Sequence, residues 1–182
     1  MLQPNFIPFP ELSTERLLLR KLTLADAPDI FFLRSDPSIL KYLSKEPVSN
    51  MKEAEDFIAR INNDIDKNDA IMWAIVLKEN PVKVIGTICY WRIQKEHFRA
   101  ELGYVLDPGF WRKGIMKEAI LKTLDYGFST LGLHSAEARI NPENIPSASV
   151  LESTGFVREA YHKEDFYFRG KFENTAVYSR LQ

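Results

Sequence analysis

Cysteine is almost missing from this sequence. Cys89 stands alone, so no intrachain disulfide can form, and a reducing compartment is the natural setting. Cys89 lies in an apolar run and reads as a small buried hydrophobe rather than a catalytic thiol. Histidine is nearly as scarce. His97, His134 and His162 are scattered without the close spacing of metal ligands, so no metal is expected. Excess charge of either sign is also lacking. The formal net charge is −1 over 182 residues, which makes nucleic acid a poor default partner. Long apolar runs are absent too. The longest, residues 70–77, is far short of the ~20 residues that span a bilayer. The first residues show no basic start followed by an apolar core. The expectation is a soluble, cytoplasmic protein without a membrane partner.

What remains is ordinary globular material, 45% hydrophobic and 27% charged, sized for one domain over residues 1–182. Strand-like and helix-like segments alternate, without repeats or low-complexity tracts, which indicates an α/β or α+β architecture. Residues 16–22 read as a first strand. Thr23 and Asp26 have the spacing of a helix start, and that helix ends near Asp36-Pro37. Asn50 and Glu53 look like a second cap, opening a helix with Ala54, Phe57, Ile58 and Ile61 at helical spacing. Strands are expected over 70–77 and 82–91, with a turn around Asn80-Pro81, then over 98–106. A helix over 114–128 and a strand over 136–140 follow. A short helix over 147–154 ends at Gly155, and a hairpin turns at Arg169-Gly170.

The chemistry concentrates where the fourth strand ends. Asp107-Pro108-Gly109 turns the chain, and Trp111-Arg112-Lys113-Gly114-Ile115-Met116 enters a helix. A helix N-terminus offers unpaired amides and about half a positive charge, a natural seat for phosphate. Gly114 lets the main chain approach an anion closely, and Arg112, Lys113 and Lys117 add charge. Gly109 and Gly114 have P-loop spacing, but Ile115 and Met116 follow where that motif needs Lys and Ser or Thr. No G-x-G-x-x-G occurs, so a dinucleotide fold has no support.

This segment resembles the pyrophosphate loop Q/R-x-x-G-x-G/A of the GNAT N-acetyltransferase superfamily, in its RimJ/RimL-type branch, which includes N-terminal acetyltransferases of ribosomal proteins. Gly114 matches the central glycine, whereas Trp111 and Met116 depart at the two ends. Ala100-Glu101-Leu102-Gly103-Tyr104 resembles the branch's A-E-I-G-Y strand. Asn141-Pro142-Glu143-Asn144-Ile145-Pro146-Ser147 resembles its D/N-P-x-N-x-x-S turn, and residues 151–156 its L-E-x-x-G-F ending. The opening residues 14–20 resemble its first strand. The motifs span nearly the whole chain in the expected order.

The resemblance implies an α+β (α/β sandwich) GNAT acyl-CoA N-acyltransferase fold. Its mixed, mostly antiparallel sheet is splayed between the fourth and fifth strands and flanked by helices. It implies acetyl-CoA as co-substrate, a primary amine as acceptor (a protein N-terminus, small amine, antibiotic or polyamine), direct attack, and a homodimer among the possible assemblies. Tyr104, Val105 and Leu106 would offer main chain to the pantetheine arm, with residues 111–117 around the diphosphate and Asn144 on a pantetheine amide. Asn144 also suits a helix cap. Glu101 is the first candidate base and Glu137 the second, each with an ordinary strand ion pair as the alternative. Ser147 is the candidate for protonating the thiolate, with a cap as its alternative. Many superfamily members use a tyrosine for that step where this chain has Leu151. Met116 and Leu151 are the features that favour a second reading, an acetyl-CoA-binding sensor without efficient turnover. Tyr161, Phe166, Tyr167, Phe168 and Phe172 form a stripe suited to an acceptor wall, to core or to a dimer contact. The loop 35–48 should decide between an open groove and a closed pocket.

Overall fold

A computed structural model describes all residues, 1–182. An eight-stranded sheet forms the centre, in the order β1-β2-β3-β4-β5-β6-β8-β7. The strands are β1 (Leu12–Ser13), β2 (Leu17–Arg20), β3 (Ile71–Leu77), β4 (Asn80–Gln94), β5 (Arg99–Leu106), β6 (Ser135–Ile140), β7 (Val157–Phe168) and β8 (Lys171–Leu181). All neighbours run antiparallel except β5 and β6. The helices are α1 (Ala27–Ser35), α2 (Pro37–Leu40), α3 (Met51–Asp66), α4 (Ile115–Ser129) and α5 (Ile145–Ser153).

Strand alternation divides the core between two faces. Trp73, Ile88, Leu102 and Ala138 pack on one side with Ile115, Ala119, Ile120 and Leu124 of α4 and Leu151 of α5. Ala74, Val76 and Val84 pack on the other with Ile30 and Leu33 of α1 and Phe57 and Ile58 of α3.

The helix starts follow local chemistry. Asn50 caps α3 by accepting from the Glu53 amide at 3.0 Å. Before α1, the Thr23 amide donates to Asp26 at 2.8 Å, and Arg20 forks onto the same carboxylate at 2.8 and 2.9 Å. Burial pushes the Asp26 carboxyl up, but the Arg20 and Thr23 hydrogen bonds outweigh it and hold it below the usual range. Its contribution to stability is therefore present above the ordinary carboxylate pKa and lost as pH falls through the depressed value. Asp26→Ala should cost about 2 kcal/mol in chemical denaturation at pH 7. Arg20 retains the Lys21 carbonyl, which keeps the cost below that of a fully orphaned charge. The deficit should shrink below pH 4.

The elements differ from expectation at three points. The strand expected over 16–22 is β2, and a short β1 not expected from the sequence pairs back onto it through Leu12 and Leu19. The turn between β3 and β4 is Lys78-Glu79 rather than Asn80-Pro81, since Leu77 already pairs with Asn80. The helix expected from Ser147 starts at Ile145, capped by Asn144, whose side chain accepts from the Ser147 amide at 3.1 Å. The final hairpin turns at Arg169-Gly170 with both φ angles positive, +47° and +81°.

Candidate functional site

The parallel pairing of β5 with β6 is brief. Arg99, Ala100 and Glu101 face Ser135, Ala136 and Glu137, and the ladder ends there. Downstream, β6 stays with β8 as far as Ile140 while β5 stays with β4 as far as Leu106. The two strands part and leave a gap. A cleft of ≈ 1490 Å³ runs through it, lined by Glu101, Gly103, Tyr104, Met116, Asn144 and Ser147 among others.

Glu101 sits where the strands begin to part, with only 9% of its surface exposed. Arg92 donates to its Oε2 at 3.1 Å. Burial raises its pKa, Arg92 opposes the rise, and nearby Glu137 adds to it. The strand ion pair expected for Glu101 is present, and the carboxylate, of raised proton affinity, also borders the cleft. Glu137 does not line the cleft. Its carboxylate takes Arg99 at 2.6 Å and lies 3.7 Å from Arg139. The strand ion pair expected as its alternative is present, and Glu137 stands outside the cleft that Glu101 borders.

Opposite Glu101, across β5, the Tyr104 hydroxyl lies 2.7 Å from Ser147 Oγ. Ser147 is buried in the first turn of α5 and does not cap it. Burial raises the Tyr104 pKa, and the Ser147 hydrogen bond opposes the rise. The phenol stays protonated and can supply a proton through the serine. Sequence reasoning used only the main chain of Tyr104. No local signal links residues 104 and 147, which meet through the fold.

The main-chain expectations divide. The Asp107 amide donates to the Ile85 carbonyl at 2.8 Å. By antiparallel alternation, Val105 turns its amide and carbonyl to β4, while Tyr104 and Leu106 turn theirs to the gap. Val105 main chain is thus withdrawn from any pantetheine contact. The Leu106 carbonyl is already engaged by the Trp111 indole N–H at 2.8 Å. Trp111 consequently clasps the loop to the strand end.

Past that clasp, Gly114 caps α4 with φ +74° and no side-chain hydrogen bond. The first helical bond is Glu118 N–H to the Gly114 carbonyl at 3.1 Å, so the amides before Glu118 have no helical acceptor. Ile115 and Met116 bury their side chains in the core, Met116 to 8% exposure. Met116, the departure from the motif at this end, is mostly buried and reaches the cleft only at its wall. Arg112 and Lys117 line the cleft. Lys113 does not, because its ammonium donates to the Gly109 carbonyl at 2.7 Å. Arg16, missed from sequence, donates to the Lys113 carbonyl at 3.0 Å and pairs with Glu118, bracing the loop from just before β2.

This combination of parted strands and a bare, braced amide terminus has counterparts among known proteins. Residues 16–157 match the family model described as acetyltransferase (GNAT) domain. The chain belongs to the GNAT acetyltransferase family. The uncharacterized N-acetyltransferase p20 of Bacillus licheniformis is 37% identical over 94% of this chain and 96% of its own. The crystal structure of spermidine N-acetyltransferase from Vibrio cholerae in complex with CoA and spermine is 27% identical, with TM-score 0.81 over 93% of this chain and 97% of that one. Ribosomal-protein-S5-alanine acetyltransferase from Vibrio fischeri is also 27% identical, with TM-score 0.81 over 94% and 96%.

In this GNAT chain the remaining expectations fall as follows. Cys89 lines the cleft instead of the core, and burial pushes its thiol up to about 11, so it stays protonated and weakly nucleophilic at neutral pH. Of the aromatic stripe only Phe166 reaches the cleft, while Tyr161, Tyr167 and Phe172 are exposed. The loop after α2 walls the cleft through Tyr42, Leu43, Ser44 and Lys45. It is pinned to the β7–β8 hairpin by Ser44 to Glu173 and by Glu46 to Arg169. No helix is long and apolar enough to cross a membrane.

Proposed function

We propose that this chain, residues 1–182 acting as one domain, transfers the acetyl group of acetyl-CoA to a primary amine by direct attack. The observation that carries the reading is the placement of Glu101 on one side of β5 and the Tyr104–Ser147 pair on the other, beside the bare amides of α4. The Gly114–Lys117 amides and the Arg112 and Lys117 side chains take the diphosphate. The gap-facing main chain of Tyr104 and Leu106 guides the pantetheine arm and polarises the thioester carbonyl. Asn144 keeps its Nδ2 for a pantetheine carbonyl while its oxygen caps α5.

Glu101 accepts the proton that the amine must lose to expose its lone pair. The nitrogen forms the new C–N bond, the C–S bond breaks, and Ser147 donates its proton to the departing thiolate. Tyr104 refills the serine and regains its proton from solvent, where Glu101 releases the one taken from the amine. Leu151, buried in the core, takes no part. The sensor alternative rests on Met116 and Leu151, and neither obstructs the cleft. The lone Cys89 and balanced charge support a cytosolic setting.

The test is release of free CoA thiol from acetyl-CoA over a panel of amines and peptide N-termini. Amine-dependent release supports the reading. Tight acetyl-CoA binding without release for any amine would replace transfer with the sensor role. Tyr104 acts through Ser147, so Tyr104→Phe should lower kcat about 5-fold, the worth of roughly one hydrogen bond. Ser147→Ala should lower it more, and the double variant should match Ser147→Ala alone. Additive losses would show that the two hydroxyls act separately.

A further inference from the structure

The acceptor end of the cleft is built from α1, α3 and the loop after α2, and three cations line it. Arg34, in the last turn of α1, lies with its guanidinium carbon 3.9 Å from the Phe57 ring centroid. Arg60 approaches the same ring at 5.4 Å. The Lys45 ammonium lies 5.7 Å from the Trp91 ring centroid. No carboxylate lies within ion-pair distance of any of the three. Arg34 Nε is buried with no hydrogen-bond partner.

The acids of the cleft are mostly occupied. Asp69 is taken by Lys95, Glu101 by Arg92, Asp165 by Arg139 and Glu173 by Ser44. Asp64 has no such partner, and Glu173 keeps its charge beside a neutral hydroxyl, so two acids of the lining stand against the three cations. The electrostatics agree with the geometry. Burial, then the Arg60 charge, lowers the Arg34 pKa, and burial, then Arg34, lowers that of Lys45. The Glu101 charge opposes that lowering at Lys45. Guanidinium groups stacked on a ring and lacking a protein anion suit a forked contact with carboxylate or phosphate. A polycation would bring like charge against them.

We infer that the acceptor is a small primary amine bearing an anionic group, carboxylate or phosphate, which docks on Arg34, Arg60 and Lys45 while its amine faces Glu101. This rests on the acetyl-transfer reading and names the substrate class for that site. It separates this chain from a polyamine acetyltransferase.

The experiment compares matched acceptors by CoA-thiol release: glycylglycine, its C-terminal amide, 3-aminopropyl phosphate and spermidine. Glycylglycine or the phosphate should exceed the neutral amide in kcat/KM by roughly 10- to 100-fold, the worth of one charge-assisted contact. Which anion leads tells carboxylate from phosphate. Arg60 and Lys45 line the cleft, keep solvent contact and hold no ion pair that the fold needs, so Arg60→Glu with Lys45→Glu should fold and should erase or reverse the preference. Calorimetry on the CoA-loaded chain reads the same preference without turnover. Selective heat with the anionic probes supports the inference even if no amine releases thiol, an outcome that would sink acetyl transfer alone. Equal use of all acceptors, or preference for spermidine, overturns the inference and leaves acetyl transfer standing.

Discussion

Glu101→Gln should lower kcat/KM for acetyl transfer by about 10²- to 10⁴-fold near neutral pH, the usual worth of a positioned general base. The size of the loss depends on pH in a definite direction. An α-amine ionises near 8 and a lysine amine near ~10.4, so the unprotonated acceptor becomes abundant without help as pH rises. The deficit should therefore shrink in alkali. In the native chain the base works ionised. Burial raises its pKa, with Arg92 opposing and Glu137 assisting. Activity should fall on acidification through a value above the ordinary carboxylate range, and the glutamine variant should lack that limb. A ratio of native to variant rates that stays flat across pH would remove Glu101 as the base.

Gly114→Leu should raise the Kd for CoA about 100-fold, equivalent to losing one or two charge-assisted amide contacts to phosphate. Two causes combine. The φ of +74° is a left-handed conformation that costs a β-carbon residue about 1–2 kcal/mol, so the loop shifts. The new side chain would also begin 3.5 Å from the Arg16 guanidinium that braces the loop. Ile115 and Met116 remain anchored in the core, so α4 and the fold should survive. Circular dichroism with calorimetry checks both halves. Lys113→Ala is the companion control. Its ammonium already serves the Gly109 carbonyl, and its loss should change Kd far less. Undiminished affinity in the Gly114 variant would exclude this helix entrance as the diphosphate seat.

These residues differ in how well the sequence announced them. Caps and turns depend on neighbours within four residues, so Asn50, Gly155 and Arg169-Gly170 were legible. Asn80-Pro81 misled because its composition suits a turn, while irregular pairing around Val76 lets Leu77 meet Asn80 and moves the reversal to Lys78-Glu79. The two-residue β1 carries no periodicity and exists through its pairing with β2. The loop at Gly114 was readable as a phosphate seat, but not the indole clasp of Trp111 or the brace from Arg16. Tyr104 with Ser147, and Arg34 with Arg60 across Phe57, are contacts between distant segments that no spacing rule reaches. Glu137 looked like Glu101 in sequence. Both are ion-paired, and what separates them is that Glu101 borders the cleft whereas Glu137, held by Arg99 and Arg139, does not.

Strand β5 serves two clients from its opposite surfaces. Glu101 points toward the side where the amine would arrive, and the Tyr104 phenol toward the side where sulfur would leave. A single residue inserted or deleted between positions 101 and 104 would turn one of these side chains onto the wrong surface. The length of this stretch is as constrained as the identity of the two residues at its ends. Descendants of this chain with altered acceptors should vary in α1, α3 and the loop after α2, and keep the spacing from Glu101 to Tyr104.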